Sequence, residues 1–360
     1  MPFFQQKVIE IEIQIRKNSF IPSMRSHIAD YLRLMRIPVA AGIALPPVIG
    51  AISVSEYSIT VLVPLFFIGI LSGIYGFVLN DIFDVDLDKL STDLLMRSLV
   101  KETVSIKAAK IIITLCFIIA YLTTFLFFYR NHILFYGGLT CLIIADVLGY
   151  IYNRYGKQIL ASDFLIALAE SFFFLFGALM VLTNTSLGMF TWILFILFFI
   201  QVLYMNAVEG GLKDADHDYL MNVKNIALTL GVKITKNQKI SIPRNFKLFG
   251  MGIRFLTAFL MFTPFIFFSA NFQIWQIVLL IIIIILLLYS SAVMLNLKHF
   301  DRGNIRRIIG TQLFLWYAAV LTMLISIIGL YIALILCALP IIWYVFFSYL
   351  IGEKIILLKL

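Results

Sequence analysis

Residues 80–88 read Asn-Asp-Ile-Phe-Asp-Val-Asp-Leu-Asp and directly follow a long apolar run. Asn80, Asp84 and Asp88 recur at every fourth position, so a helix that continues out of the apolar run places them on one face. Asp81 precedes Asp84 by three residues and shares much of that face. Carboxylates stacked in this way repel one another, and a cation between them would offset that cost.

Residues 213–218 read Lys-Asp-Ala-Asp-His-Asp and form a second acidic cluster after another apolar run. The two windows hold seven of the 19 acidic residues, and Asp214 and Asp218 repeat the four-residue gap. Oxygen ligands suit a hard cation such as Mg²⁺, whose coordination is completed by water and phosphate oxygens. The two clusters therefore predict a metal-bridged diphosphate at a membrane surface.

The composition indicates a membrane protein. Hydrophobic residues make up 62% of the 360 residues and charged residues only 13%, far from the balance of soluble proteins. Several apolar stretches reach the roughly 20 residues that cross a bilayer as a helix. We expect an all-α, polytopic transmembrane helical bundle of about nine or ten spans.

The remaining features of the composition exclude several other classes. Polar residues interrupt the N-terminus, so it does not resemble a secretory signal, and residues 8–27 fit either an interfacial helix or a cytosolic lead-in. The three cysteines lie in apolar spans and predict buried thiols without disulfides. The net charge of +9 is spread through the loops, which does not indicate a nucleic-acid partner.

The apolar runs predict ten spans, and the basic residues predict their orientation. The expected spans are 34–53, 59–80, 108–129, 132–152, 160–183, 187–208, 249–269, 273–294, 308–328 and 331–351. In this topology 27 of the 28 Lys and Arg residues fall on one side, and Arg130 stands alone on the other. Basic loops stay cytosolic, so both acidic clusters and both termini are expected there. The last apolar residues could instead form one broken helix, which would give nine spans.

Residues 80–88 match the NDxxDxxxD motif of the UbiA superfamily of intramembrane prenyltransferases, which this chain resembles over about residues 30–290. Arg97 stands where that family usually has Arg-Pro-Leu, with Ser98 in place of the proline. Tyr152 and Lys157 are similar to the family's Tyr-Lys segment. The second cluster is similar to its second Asp-rich motif, and residues 32–38 (Leu-Arg-Leu-Met-Arg-Ile-Pro) are similar to the start of its first helix.

The resemblance implies a membrane enzyme that moves a polyprenyl group from its diphosphate to a lipophilic acceptor with the help of Mg²⁺. The one-sided distribution of basic residues predicts that its site opens toward the cytosol from the cell membrane. Ionisation of the allylic C–O bond leaves negative charge on the diphosphate, which metal ions neutralise. The expected metal ligands are Asn80, Asp84, Asp88, Asp214 and Asp218, and the four aspartates among them are the expected catalytic residues. The expected substrate-binding residues are Asp81, Arg97, Tyr152, Lys157, Lys213 and Asp163. For the basic residues, anchoring to lipid phosphates is the alternative.

The acceptor and the reaction type have alternatives. The Lys-Asp opening of the second cluster slightly favours an ether-lipid precursor such as geranylgeranylglyceryl phosphate over an aromatic quinone precursor. A terpene cyclase would use the same metal site without an acceptor. A secondary transporter would show charged or unwound helices at the membrane midplane, whereas these clusters lie at helix ends.

Three carboxylates lie within the spans, where ionisable groups are costly and usually functional. Asp163 and Glu170 are seven residues apart and share a helix face. For Asp163, the expected role is pairing with Lys157 or Arg154, and the alternative is acceptor binding or proton removal. Asp146 is expected to pair with a neighbouring polar group. The predicted organisation is an N-terminal segment 1–30, a helical domain 31–300, and C-terminal transmembrane helices 301–360.

Single cysteines placed at positions 5 and 356 in a cysteine-free background should both be protected from an impermeant thiol reagent in intact cells, because the basic residues place both termini in the cytosol. Labelling at position 356 alone would instead indicate nine spans.

Overall fold

The computed structural model describes residues 24–89, 94–130, 133–183, 186–221, 223–235, 237–267 and 272–352. The two terminal positions and most of the N-terminal segment therefore lie outside the described residues. The described helices are α1 (Met24–Leu34), α2 (Ile37–Ile43), α3 (Leu45–Ser53), α4 (Ile59–Asp88), α5 (Ile106–Phe128), α6 (Ile133–Tyr155), α7 (Asp163–Val181), α8 (Met189–Tyr204), a π-helical turn (Met205–Gly210), α9 (Gly211–Lys213), α10 (Ala215–Leu220), α11 (Ile226–Thr229), α12 (Arg244–Phe267), α13 (Ile274–Leu295) and α14 (Arg302–Leu350).

The expected helical bundle is confirmed. Within the described ranges, nine helices are long and apolar enough to cross a membrane, and they begin and end near the predicted bounds: 27–53, 59–88, 106–128, 133–155, 163–181, 189–213, 244–267, 274–295 and 302–350. The first of these is assembled from α1, α2 and α3. We call the end of the bundle that carries both acidic clusters the acidic end. Arg130 lies at the opposite end, where it donates to the Met180 carbonyl near the end of α7.

The 49-residue helix α14 is broken at Gly329, whose φ of 76° lies in the left-handed region. Both ends of α14 lie at the acidic end: Arg302 pairs with Asp216 of the second cluster, and the Ile351 carbonyl accepts a hydrogen bond from Arg33. The chain therefore reverses its direction at Gly329. The segments 302–328 and 330–350 are each long enough to cross a bilayer, which agrees with the predicted spans 308–328 and 331–351.

A short two-stranded hairpin interrupts the connection between α11 and α12. Strand β1 (Lys233–Ile234) pairs antiparallel with β2 (Ile240–Ser241). The Ile240 N–H donates to Lys298 and the Phe300 N–H donates to Gln238, so this connection is tied to the one between α13 and α14. The described residues of this connection are therefore anchored at the acidic end.

A crossing of two glycines brings α3 and α7 together. A Cβ atom on Gly177 would lie 1.9 Å from the Pro47 carbonyl oxygen, and one on Gly50 would lie 2.1 Å from that of Phe174. Only glycine permits this approach, and small residues at helix crossings are the usual means of close packing in a bilayer.

A buried polar network joins five segments of the bundle. The Arg254 side chain on α12 is 1% exposed and donates to Gln201 at 2.7 Å, to Gln312 at 2.7 Å, to Ser291 at 3.1 Å and to Glu209 at 3.2 Å. Its guanidinium also lies 3.5 Å from the centroid of the Tyr204 ring. Arg254 is one of the 27 basic residues assigned to the cytosolic side, but its side chain is paired inside the bundle and does not lie in a loop.

Replacing Arg254 with Met should lower the free energy of unfolding by about 3–5 kcal/mol, because it leaves the Glu209 carboxylate buried without its cation. Thermal unfolding of the purified protein in detergent measures this. Lys247→Met, on the same helix, removes only an exposed hydrogen bond to Asn296 and should change the stability by less than about 0.5 kcal/mol. Equal melting temperatures for the two variants would contradict a stabilising role for the network.

Candidate active site

Helix α4 carries the first acidic cluster to the acidic end. The carboxylates of Asp81, Asp84 and Asp88 are 6%, 8% and 4% exposed, whereas the Asp86 side chain is 99% exposed. This division follows from the helical period, since Asp86 points away from the face that the other three share. Asn80, which is half-buried, lies one turn before Asp84.

Two arginines neutralise Asp81 and Asp88. Arg36 donates to Asp81 at 2.6 Å, Arg97 donates to Asp81 at 3.1 Å, and Arg97 also pairs with Asp88. Burial opposes the charge of Arg97, but Asp81 and Asp88 outweigh it and raise the pKa of this guanidinium above its ordinary value. Arg97 was expected to bind a diphosphate, and it lies here between two carboxylates.

Arg36 reaches the cluster because the first span is broken beside it. Arg36 adopts the left-handed conformation (φ 49°, ψ 38°) and precedes α2, which carries Pro38 in its first turn. Such a conformation is costly for a residue with a side chain and persists where the surroundings hold it. The Arg36 guanidinium also lies 4.7 Å from the centroid of the Phe77 ring.

The second cluster follows a π-helical turn. Residues 205–210 form this turn, α9 ends at Lys213, and Asp214 has non-helical angles (φ −106°, ψ 5°). Turns of this kind occur most often at functional sites, because the extra residue reorients the side chains that follow. Asp218 is buried and accepts a hydrogen bond from the Asn225 amide at 2.8 Å.

Two basic residues fix the rest of the second cluster. Lys213 pairs with Asp214 at 3.1 Å. Arg302, at the start of α14, donates to Asp216 at 2.5 Å and to the Lys213 carbonyl at 3.2 Å. The π-helical turn is itself held by the pairing of Glu209 with Arg254.

Lys157 joins the two clusters. Its ammonium nitrogen lies 3.8 Å from Asp84 of the first cluster and 3.8 Å from Asp218 of the second. Burial disfavours the charged amine, but the carboxylates, with Asp84 first, outweigh it, so the pKa of Lys157 is raised above its ordinary value. Lys157 therefore stays charged at neutral pH, midway between the two acidic clusters.

The two remaining predicted residues lie beside this centre. The Tyr152 hydroxyl donates to the Asn206 side chain of the π-helical turn at 3.2 Å. Asp163 is buried at the first position of α7, where the charges of Asp218 and Lys157 act on its carboxylate. Among the described residues, no ion pair joins Asp163 to Lys157, which pairs with Asp84 and Asp218, so the expected roles of Asp163 stay predictions.

The carboxylates within the spans have partners or buried positions of their own. Asp146 accepts a hydrogen bond from Tyr121 at 2.7 Å, as expected for a carboxylate at that depth. Glu170 lies on α7 and is half-buried. The side chain of His217 lies outside the described residues.

The expected donor set has the chemistry of a hard-cation site. It supplies only side-chain oxygens, from Asn80, Asp84, Asp88, Asp214 and Asp218, and the positive charges of Arg97 and Lys157 lie beside three of these carboxylates, those of Asp84, Asp88 and Asp218. Among the described residues, no three acidic, histidine or cysteine side chains are grouped as a ready metal-ligand cluster. Oxygen donors of this kind, completed by water and phosphate oxygens, are what Mg²⁺ takes in proteins.

Sequence reasoning missed four polar residues of the site: Arg36, Asn206, Asn225 and Arg302. For Arg36 a signal was present, since an arginine before Ile-Pro lies at a predictable break in the first span. The other three reach the clusters from segments distant in sequence, and no local spacing marks them.

Comparisons with known proteins agree with this architecture. The model of the UbiA prenyltransferase family matches residues 37–316. The digeranylgeranylglyceryl phosphate synthase of Saccharolobus solfataricus is 27% identical over 223 residues, which cover 56% of this chain and 69% of that relative.

Solved structures share the fold. A structure of digeranylgeranylglyceryl phosphate synthase in membranes aligns with a TM-score of 0.59 and 21% identity, covering 84% of this chain and 99% of its own. The apo UbiA homologue of Aeropyrum pernix K1 aligns with a TM-score of 0.60 and 16% identity over 80% of this chain and 96% of its own. The Archaeoglobus fulgidus homologue bound to GPP and Mg²⁺ aligns with a TM-score of 0.54 and 16% identity over 81% of this chain and 99% of its own.

A bundle of apolar helices with two acidic clusters that meet at one end, each with buried carboxylates, is the architecture of a multi-pass membrane protein with a candidate active site. The match over most of its length shows that the chain belongs to the UbiA prenyltransferase family, and the enzyme is accordingly a prenyltransferase.

Replacing Lys157 with Met should lower the melting temperature at pH 7, because Asp84 and Asp218 lose the cation between them. Since the pKa of Lys157 is raised, its stabilisation is complete below the ordinary lysine value of about 10.4 and is lost as the pH rises through the higher folded value. The wild type and the Met variant should therefore converge only at strongly alkaline pH. The Lys157→Arg variant should keep a higher melting temperature than the Met variant at that pH, since arginine stays protonated. A gap between wild type and the Met variant that closes below pH 9 would contradict this assignment.

Proposed function

We propose that this prenyltransferase transfers a polyprenyl group from its diphosphate to a lipophilic acceptor at the cytosolic face of the membrane. The proposed cofactor is Mg²⁺, and the favoured acceptor is an ether-lipid precursor such as geranylgeranylglyceryl phosphate. The observation that carries the proposal is the meeting of both acidic clusters at Lys157, whose ammonium nitrogen lies 3.8 Å from Asp84 and 3.8 Å from Asp218. The diphosphate of the donor would bind at this point.

The metal ligands we assign are Asn80, Asp84, Asp88, Asp214 and Asp218. Bound there, Mg²⁺ supplies Lewis acidity and neutralises charge on the leaving diphosphate. Arg97, Lys157 and Lys213 donate charge-assisted hydrogen bonds to the diphosphate oxygens. These cations are already held beside the carboxylates in the structure, so little reorganisation is needed as negative charge develops.

The acceptor then attacks the allylic carbon. The new C–O bond forms at the acceptor hydroxyl, the allylic C–O bond to diphosphate breaks, and the hydroxyl proton is released. The carboxylate of Asp163, buried at the first position of α7, is suited to hold that proton. The apolar helices exclude the water that would otherwise capture the allylic cation.

The named relatives support this choice of substrates. The Saccharolobus solfataricus relative is a digeranylgeranylglyceryl phosphate synthase, and the Archaeoglobus fulgidus homologue has been solved with GPP and Mg²⁺ and with DMAPP and Mg²⁺. The one-sided distribution of Lys and Arg supports a site that opens toward the cytosol.

The test is release of inorganic diphosphate by the purified protein from geranylgeranyl diphosphate. Release should require both Mg²⁺ or Mn²⁺ and an acceptor, and EDTA should abolish it. Geranylgeranylglyceryl phosphate is the first acceptor to supply and a hydroxybenzoate the second. Steady release with the donor alone, together with a terpene product, would establish a cyclase instead. Metal-independent binding of another solute without any release would favour a transporter.

Asp84→Asn and Asp218→Asn should each reduce kcat by roughly 100-fold or more, because each removes a charged ligand from a different cluster. The matched control is Asp86→Asn in the same cluster, whose side chain is exposed and which should retain near wild-type activity. Arg97→Ala should mainly raise KM for the donor, since it removes one of several diphosphate contacts. If either Asn variant of the buried pair kept most of its activity while Asp86→Asn did not, the assignment of the helix face would be wrong.

A further inference from the structure

A cavity of about 330 Å³ lies directly beside Lys157 at the acidic end. Leu87, Lys157, Gln158, Met221, Val223 and Lys224 line it. Its volume falls within the range of small-molecule sites. Leu87 lies on α4 between Asp84 and Asp88, so this cavity opens less than one helical turn from the carboxylates of the first cluster.

The cavity holds two lysines in different electrostatic positions. Lys157 is committed to Asp84 and Asp218. Lys224 is exposed, and none of the carboxylates that the structure describes pairs with it. The Lys224 backbone N–H donates to the Lys157 carbonyl at 3.1 Å, which fixes the two residues side by side. One positive charge in the cavity is therefore available to a ligand while the other serves the metal-binding carboxylates.

The remaining lining determines the chemistry of that ligand. Gln158 adds a side-chain hydrogen-bond donor, whereas Leu87, Met221 and Val223 form an apolar wall. A ligand that satisfies both parts has an anionic head and an aliphatic body. A dianionic phosphate monoester suits the lysine better than an aromatic carboxylate does, because it offers more charge and more acceptor oxygens to one ammonium group.

We propose that this cavity binds the phosphate of the acceptor, separately from the diphosphate of the donor, and that Lys224 determines the preference for a phosphate-bearing acceptor. The inference rests on the proposed prenyl transfer and names the acceptor class for that same site. The acceptor phosphate undergoes no bond change and serves as a handle that holds the acceptor hydroxyl near the allylic carbon.

Steady-state kinetics with geranylgeranylglyceryl phosphate and its dephosphorylated alcohol test the proposal. Lys224→Gln should raise KM for the phosphate acceptor about tenfold, as the loss of one charge-assisted contact does, with much smaller changes in kcat and in KM for the donor. Lys224→Arg should restore most of the affinity. Lys233→Gln, an exposed lysine on β1 of the same connection, is the matched control and should leave KM unchanged. An unchanged acceptor KM in Lys224→Gln would overturn the proposal.

Direct binding of the two acceptors without donor separates this proposal from the proposed function. The wild type should bind the phosphate acceptor more tightly than the alcohol, and Lys224→Gln should lose that preference. Absence of turnover together with this Lys224-dependent preference would refute prenyl transfer and leave the phosphate site standing. Turnover with equal binding by wild type and variant would refute the phosphate site alone.

The lipid environment distinguishes the acceptor phosphate from a membrane phosphate. The kinetics should be the same in nanodiscs of neutral phosphatidylcholine and in nanodiscs that contain anionic phosphatidylglycerol. An effect of Lys224→Gln that occurs only with the anionic lipid would show that Lys224 binds the membrane surface, and the acceptor site would then be wrong.

Discussion

The structure depends on neutralising several carboxylates that are removed from water at the end of a helical bundle. Asp81, Asp84, Asp88 and Asp218 are each less than a tenth exposed, and unpaired charges in such positions would cost several kcal/mol each. Arg36, Arg97 and Lys157 supply the compensating charge. Because these cations come from the first span, from the connection after α4 and from the connection after α6, satisfying the carboxylates also fixes how those segments are placed.

The same constraint explains the irregular backbone around the site. A continuous α8 would carry its residues into solvent in a regular helical order, whereas the π-helical turn and the break at Asp214 turn Asp218 back toward Lys157. The turn carries Glu209, and the paired Arg254 connects it to α12, α13 and α14. The geometry of the second cluster therefore depends on the packing of α12, α13 and α14. In this way the packing of the later helices also affects the site that the second cluster forms with the first cluster.

Sequence patterns predicted the local features well. The spans follow from apolar run length, and the buried and exposed sides of the first cluster follow from the helical period, so Asp86 separates from Asp84 and Asp88 without knowledge of the fold. What the patterns could not supply is the partner of each charge. The partners come from other segments of the chain: Asn225 binds Asp218, Arg302 binds Asp216 and Arg254 binds Glu209. A hydropathy scale gives an arginine the same value whether it is paired in the interior or exposed in a loop. The assignment of ligand roles to the predicted aspartates stays a prediction.

The return of the last helix has a consequence for the order of biosynthesis. Trp343 donates to the Ile37 carbonyl, Tyr317 donates to that of Gly42, and Arg33 donates to that of Ile351. The span 27–53 therefore packs against residues 317–351, and these neighbours are absent until that later part of the chain has been synthesised. During that interval the first span contacts lipid where the finished bundle has protein. A chain truncated at Gly329 would contain both acidic clusters but would lack residues 330–350, which pack beside the span 27–53.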